Sequence, residues 1–162
     1  FMNIIIKNRF LLYKGYKFKS CIGKSGIKKN KNEGDNATPK GIFSLGKLYY
    51  RPDRIKKINT NLSCKKIKKD MGWCNDPKNK KYNKEVNRKK IKKSEKLFRK
   101  DYKYNAFIVI NYNSHPVIKN KGSAIFLHLT KKYKSTAGCI AIKQNDFLKL
   151  AKIIKNKTKI KI

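Results

Sequence analysis

Apolar residues along this chain fall into short runs with strand character, and one longer stretch near the C-terminus has helical spacing. Residues 3–6, 16–22, 41–50, 106–112, 123–129 and 139–142 each read as a strand, punctuated by Gly15, by the Gly23–Gly26 stretch and by a turn at Asn113–Pro116. Residues 28–41 form a polar loop without apolar anchors. Residues 51–104 hold Pro52, Pro77, many lysines and scattered apolar positions, which predicts a long irregular excursion with one or two short elements. Loops of that length in compact domains are usually functional or mobile. Asn145 is placed to cap a helix over about 145–155, with Phe147, Leu148, Leu150, Ala151, Ile153 and Ile154 on a broad apolar face. Thr158–Ile162 alternates and predicts a final edge strand protected by its lysines. The expected class is mainly β, with one helix in the C-terminal region.

Length and composition narrow this picture. A chain of 162 residues allows a single domain over 1–162. Its apolar clusters argue against disorder, and its apolar runs fall far short of the roughly 18 residues of a membrane span. Lysine and arginine number 44 against nine acidic residues, a formal charge of +35 that first suggests nucleic acid. Only five of the 44 are arginine, and Lys, Ile and Asn together make up 76 of the 162 residues. All three have A/T-rich codons, and a groove reader favours arginine, so no nucleic-acid partner is expected. Two readings of the charge stay open: a codon-driven background, or selected binding to an anionic polymer.

The first residues, Phe1 to Lys7, do not read as a signal peptide, because the apolar run is too short and no small-residue cleavage site follows. Cysteines stand at 21, 64, 74 and 139. With no CxxC pair a structural zinc site is not expected, and no metal or cofactor is implied. The spacing is not a disulfide framework, although Cys64 and Cys74 could bridge across a loop. Cys21 and Cys64 read as buried small hydrophobes.

The informative segment runs from Ile125 to Ile140. His128 ends an apolar strand, a short basic loop follows, and the small-residue turn Thr136–Gly138 delivers Cys139 onto the next strand. If the two strands are neighbours, His128 and Cys139 face each other across the loop mouth. A thiol attacks acyl carbon as thiolate, and a positioned imidazole can take its proton and return it to a leaving amine. Gly138 permits close backbone approach, and N–H groups around Gly138 and Cys139 can meet a developing oxyanion. On spacing alone the bland alternative stands beside this one: a strand-end histidine and a buried cysteine.

The segment resembles the active-site motif of the L,D-transpeptidase catalytic domain, the YkuD-type family, in which a strand histidine precedes a Ser/Thr-His-Gly-Cys turn. Thr136, Gly138 and Cys139 match that turn and His128 matches the upstream histidine. Further segments resemble a subgroup of the family in the same order: Asp35–Phe43, Tyr50–Arg54, Gly72–Pro77, Tyr82–Asn83 and Gly122–His128. Together they spread over residues 20–145.

The resemblance implies a β-sandwich or barrel and peptidoglycan chemistry. It makes Cys139 the nucleophile and His128 the general base, with Gly138, Thr136 and Ala137 at the oxyanion turn and Ser135 beside the substrate. Stem peptides are the implied partner, and the periplasm or cell wall the implied location. A monomer is expected. Hydrolysis of the same substrate, a wall-binding domain without activity, and a non-enzymatic basic domain that binds a polyanion or nucleic acid are the alternatives.

Two positions depart from the family pattern. Ala137 stands where it usually has His, and Ala141 where it often has Arg. A backbone carbonyl of the 135–137 turn is then expected to orient the imidazole, and Arg51 or Arg54 to hold the substrate carboxylate. Trp73 reads either as a lid over the cleft or, with Cys74, as a satellite core cluster. Thr38–Gly41 reads as a turn more than a cleft wall. His115 reads as a solvated loop residue, Asp76 as a turn cap, and Tyr49, Tyr50 and Tyr112 as core or rim aromatics.

Overall fold

A computed structural model describes residues 2–162; Phe1 lies outside the described residues. In chain order the strands are β1 (Ile4–Lys7), β2 (Phe10–Tyr13), β3 (Tyr16–Cys21), β4 (Ile27–Lys28), β5 (Thr38–Pro39), β6 (Ile42–Tyr50), β7 (Cys64–Lys66), β8 (Met71–Cys74), β9 (Glu85–Asn87), β10 (Ser94–Lys96), β11 (Ala106–Ile110), β12 (Phe126–Leu129) and β13 (Ile140–Ile142). Helix α1 (Gln144–Ile153) and β14 (Lys159–Lys161) complete the fold. Eight strands close on themselves in the order β11-β12-β13-β3-β2-β1-β14-β6, because β6 also pairs with β11; β7 adds to β6. The class is mainly β and barrel-like, as expected, and closure leaves those eight strands without a free edge.

Several elements differ from the sequence reading. Strand β2 is unanticipated, since its turns carry weak signals: Asn8 and Arg9 both adopt positive φ (50° and 62°), as do Lys14 and Gly15 (45° and 81°). Paired positive φ values suit the two-residue turns whose twist matches antiparallel strands. The expected edge strand at the C-terminus is interior. β14 lies between β1 and β6, and its Lys159 and Lys161 are simply the solvent side of an in/out alternation around buried Ile160. Helix α1 starts at Gln144, with Lys143 at the N-cap position and no side-chain cap, so Asn145 lies inside the helix. The excursion over 51–104 holds four short strands. Three of them form a separate antiparallel sheet, β10-β8-β9.

That small sheet explains why β11 and β12 are buried on both faces. One face fills the barrel: Ala106, Ile108, Ile110, Leu127 and Leu129 join Ile4, Leu11 and Ile160 and the α1 residues Phe147, Leu150 and Ala151. The other face meets the excursion: Phe107, Val109 and Phe126 pack with Tyr49, Trp73, Leu97 and Tyr104. Trp73 is therefore a core residue of this outer layer. All four cysteines are free; Cys21 and Cys74 are buried, whereas Cys64 is exposed at the start of β7, contrary to the expectation of burial.

Candidate active site

The parallel pairing of β12 with β13 sets Leu127 opposite Ile140 and His128 opposite Ala141. One step back along this register brings Phe126 opposite Cys139. Side chains alternate along a strand, so Phe126 and His128 share a face with Cys139 and Ala141. His128 and Cys139 are thus a diagonal pair on the outer face of the barrel. Both line one cavity of about 760 Å³, together with Ser135, Thr136 and Ala137. Its remaining walls include Lys31 and Glu33 from the 28–37 loop and Glu95, Arg99, Lys103 and Tyr104 from the excursion.

The turn before Cys139 is fastened at both ends. Thr136 pairs through its backbone with Ile22 and Lys24, its Oγ1 donates to the Cys139 carbonyl at 2.6 Å, and it accepts from the Gly138 N–H at 3.1 Å. Thr38 Oγ1 accepts from the Gly23 N–H and donates to the Gly138 carbonyl, both at 2.8 Å. Gly138 has φ +140°, and a Cβ there would stand 2.8 Å from the Ala37 carbonyl oxygen, so glycine is required on two counts. Thr38 thus serves the site as a strut, a role neither of the sequence alternatives gave it.

His128 is buried, with Nδ1 3.0 Å from the Leu129 carbonyl oxygen. A carbonyl can only accept, so Nδ1 carries the proton and Nε2 keeps the basic lone pair. The orienting carbonyl is therefore that of the next residue on β12, not one in the 135–137 turn. Burial, helped by Lys103 and Arg99, lowers the imidazole pKa to about 4. The Cys139 Sγ donates to the Ala124 carbonyl at 3.2 Å and accepts from the Phe126 N–H at 3.3 Å. Burial and then the charge of Glu95 push this thiol up to about 12. The resting pair is neutral on both sides.

Other expected site residues stand elsewhere. Arg51 is buried beneath the Phe98 ring. It binds Asp53 through Nε and Nη2 (2.8 and 2.6 Å) and the Arg99 carbonyl through Nη1. Arg54 donates to the carbonyls of Lys100 and Asp101 and to Asn105 Oδ1. Both tie down the segment 99–105 and neither lines the Cys139 cavity. Trp73 packs edge-on to Phe126 and donates from Nε1 to Asn83, behind the site and not over it. The sequence reading missed Lys31, Glu33, Glu95, Arg99 and Tyr104 as cavity residues. The two glutamates had a signal: with only nine acidic residues in the chain, each is conspicuous.

A family model for the L,D-transpeptidase catalytic domain (YkuD) matches residues 4–162. The chain belongs to that family. Among the described residues no helix is long and apolar enough to cross a membrane. No curated protein matches the chain. A solved structure of Bdellovibrio bacteriovorus Bd1075 is similar at 16% identity and a TM-score of 0.48, over 99% of this chain and 46% of that one, so the chain spans about half its length.

Proposed function

We propose that the chain is a cysteine-dependent L,D-transpeptidase that acts, as one catalytic domain, on peptidoglycan stem peptides outside the cytoplasmic membrane. The observation that carries this reading is the placement of His128 and Cys139 on one face of adjacent strands, lining one cavity with the Thr136–Gly138 turn. Sγ attacks the carbonyl that precedes a terminal D-amino acid. The thiol proton passes to Nε2 of His128 and then to the leaving amine, so the D-amino acid departs and a thioester remains. An amine on a second stem attacks the thioester, gives its proton to His128, and the thiol is restored on Sγ. The Gly138 N–H is engaged by Thr136 Oγ1, which leaves the N–H groups of Ala137 and Cys139 as the turn's candidate donors to the oxyanion.

The test is a muropeptide profile of cells expressing the chain or its Cys139→Ala variant, with intact-mass detection of a carbapenem adduct on the purified protein. New cross-links and an adduct, both lost in Cys139→Ala, are expected. Trimmed stems without cross-links would make water the acceptor. No adduct and an unchanged profile in the variant would overturn the enzyme reading.

A further inference from the structure

Six of the nine acidic side chains pair with a lysine or arginine: Asp35 with Lys31, Asp53 with Arg51, Asp70 with Lys89, Asp76 with Lys93, Glu85 with Lys65 and Asp101 with Arg99. Among the described residues Glu33, Glu95 and Asp146 have no such ion pair, and Glu33 and Glu95 both line the Cys139 cavity, where Glu33 accepts from the hydroxyls of Tyr82 and Ser123. Glu95 Oε1 accepts the hydroxyl proton of Tyr104, a neutral donor. The Tyr104 ring in turn stands edge-on to His128, with centroids 5.5 Å apart at 70°.

The cations that act on Glu95 and on Cys139, Arg99 and Lys31, are committed to other carboxylates. Arg99 binds Asp101 through Nε (3.0 and 3.1 Å) and Nη2 (2.5 Å). The Lys31 amine lies 2.7 Å from Asp35 and 3.2 Å from the Asn32 carbonyl oxygen. A charge with only a neutral partner in a low-dielectric cavity acts strongly on its neighbours. The groups whose charge or hydrogen bond acts on Glu95 are Tyr104, Arg99 and Glu33; those whose charge acts on the thiol are Glu95, Lys31 and Cys21, and the thiol acts in turn on Tyr104. Among the charges acting on the sulfur, Glu95 has the largest influence, and its sign opposes a thiolate.

We propose that Glu95, clasped by Tyr104, is a positioning residue that keeps Cys139 a resting thiol until an ammonium group of the substrate binds beside it and cancels its charge. This rests on the reading of Cys139 as nucleophile. A stem peptide with a diamino acid carries such a group. Cancelling the carboxylate's charge removes a repulsion from the forming thiolate, and the proton leaving Sγ goes to Nε2 of His128; nothing else is consumed. An ammonium-free peptide would meet a thiol that stays protonated, so the same residue selects substrate and times the chemistry.

The experiment follows alkylation of Cys139 by iodoacetamide against pH in the full chain, read at that residue by peptide mass. Glu95→Gln should lower the pH midpoint by about one pH unit and raise the rate below the midpoint about tenfold. Glu95→Asp should return it toward the wild type, and Asp70→Asn, which removes a carboxylate paired with Lys89 away from the cavity, should leave it unmoved. On the wild-type protein, a short peptide with a free lysine side chain should accelerate alkylation several-fold, and its Nε-acetylated form should not. An unmoved midpoint in Glu95→Gln, or equal acceleration by the acetylated peptide, overturns the proposal. The peptide arm stands even if a variant fails to fold. Failure of the nucleophile reading would show separately, as cross-linking retained in Cys139→Ala while the Glu95→Gln shift persists.

Discussion

Phe107 and Ile108 are neighbours on β11, yet they belong to different halves of the molecule. Ile108 points into the barrel, where mainly aliphatic side chains from the strands and α1 meet. Phe107 points outward into a layer built largely of rings. It stacks on Tyr49 at 4.9 Å and on Phe126 at 4.4 Å, while Trp73 and Tyr104 meet Phe126 edge-on at 5.2 and 5.7 Å. Polar tips of this layer end on carboxylates: Tyr49 on Glu85 and Tyr104 on Glu95. The inner core is held by non-directional burial, whereas the outer one adds ring geometry and hydrogen bonds that fix orientation. His128 and Cys139 lie on the outer side. The barrel thus supplies the strand register that pairs them, and the outer layer supplies the polar surroundings that set their protonation.

Truncating these two neighbours should separate the roles. Phe107→Ala should cost about 3–5 kcal/mol and Ile108→Ala about 2–5 kcal/mol in urea unfolding, since each removes a fully buried side chain. The difference should appear in activity per folded molecule. The inner truncation should leave it near the wild type, and the outer one should lower it, because Phe107 supports Phe126 and Tyr104 beside the site. Equal activity losses would break the distinction between frame and surroundings.

Acid should act on the outer layer before the carboxylates held low by their partners are protonated. In the unfolded chain His128 takes a proton near its ordinary value of 6.5, whereas in the fold it stays neutral until about pH 4. Through that window the unfolded state binds the extra proton, so stability is fully present above pH 6.5 and falls as pH drops, by about 3 kcal/mol near pH 4. Glu95 works in the opposite sense, since burial raises its carboxyl and the fold protonates it first. Unfolding curves of the wild type and His128→Gln between pH 7 and 4 isolate the histidine. Parallel curves would mean that His128 is not held neutral by burial.

Asn83 tests the joint between the small sheet and the barrel. Its Oδ1 accepts from Trp73 Nε1 (2.8 Å) and the Ala124 N–H (3.0 Å), and its Nδ2 donates to the carbonyls of Tyr112 (3.0 Å) and Asn113 (2.7 Å). Asn83→Ala leaves these groups without partners, and a loss of about 2 kcal/mol is expected. Hydrogen exchange should rise first in β8 and β9. A uniform rise across the barrel strands would argue that the two layers unfold as one.

The barrel was largely legible in the sequence because its strands alternate or run fully apolar, and residues 106–112, 123–129 and 139–142 carry that pattern plainly. Strand β2 was hidden because Asn8-Arg9 makes a tight turn without glycine. The outer layer was not legible. β7, β9 and β10 are three residues each, and Trp73, Leu97 and Tyr104 become a core only against the far side of β11 and β12. The proposed nucleophile and base, Cys139 and His128, could be placed from a local motif. Glu95, Arg99 and Tyr104 could not, since they reach the site from a segment whose path no periodicity reveals. Arg51 and Arg54 misled for a related reason: arginine suits a substrate carboxylate, but it suits backbone carbonyls and Asp53 equally well.

The smallest expected effect concerns the charge of +35. Near the cavity, Lys31 and Arg99 are spent on Asp35 and Asp101, whereas Lys103, Lys131, Lys132 and Lys134 line it and remain exposed to solvent. Exposed charges are screened by salt and buried contacts far less. Raising ionic strength from about 0.05 to 0.5 M should therefore raise KM for an anionic wall fragment by roughly two- to fivefold and leave kcat nearly unchanged. A change confined to kcat would place the salt-sensitive charge inside the outer layer, at Glu95, and not at the mouth. A flat profile in both would leave the lysines as a product of codon composition. In that case the basic rim is a background against which the acidic wall of the cavity stands out all the more.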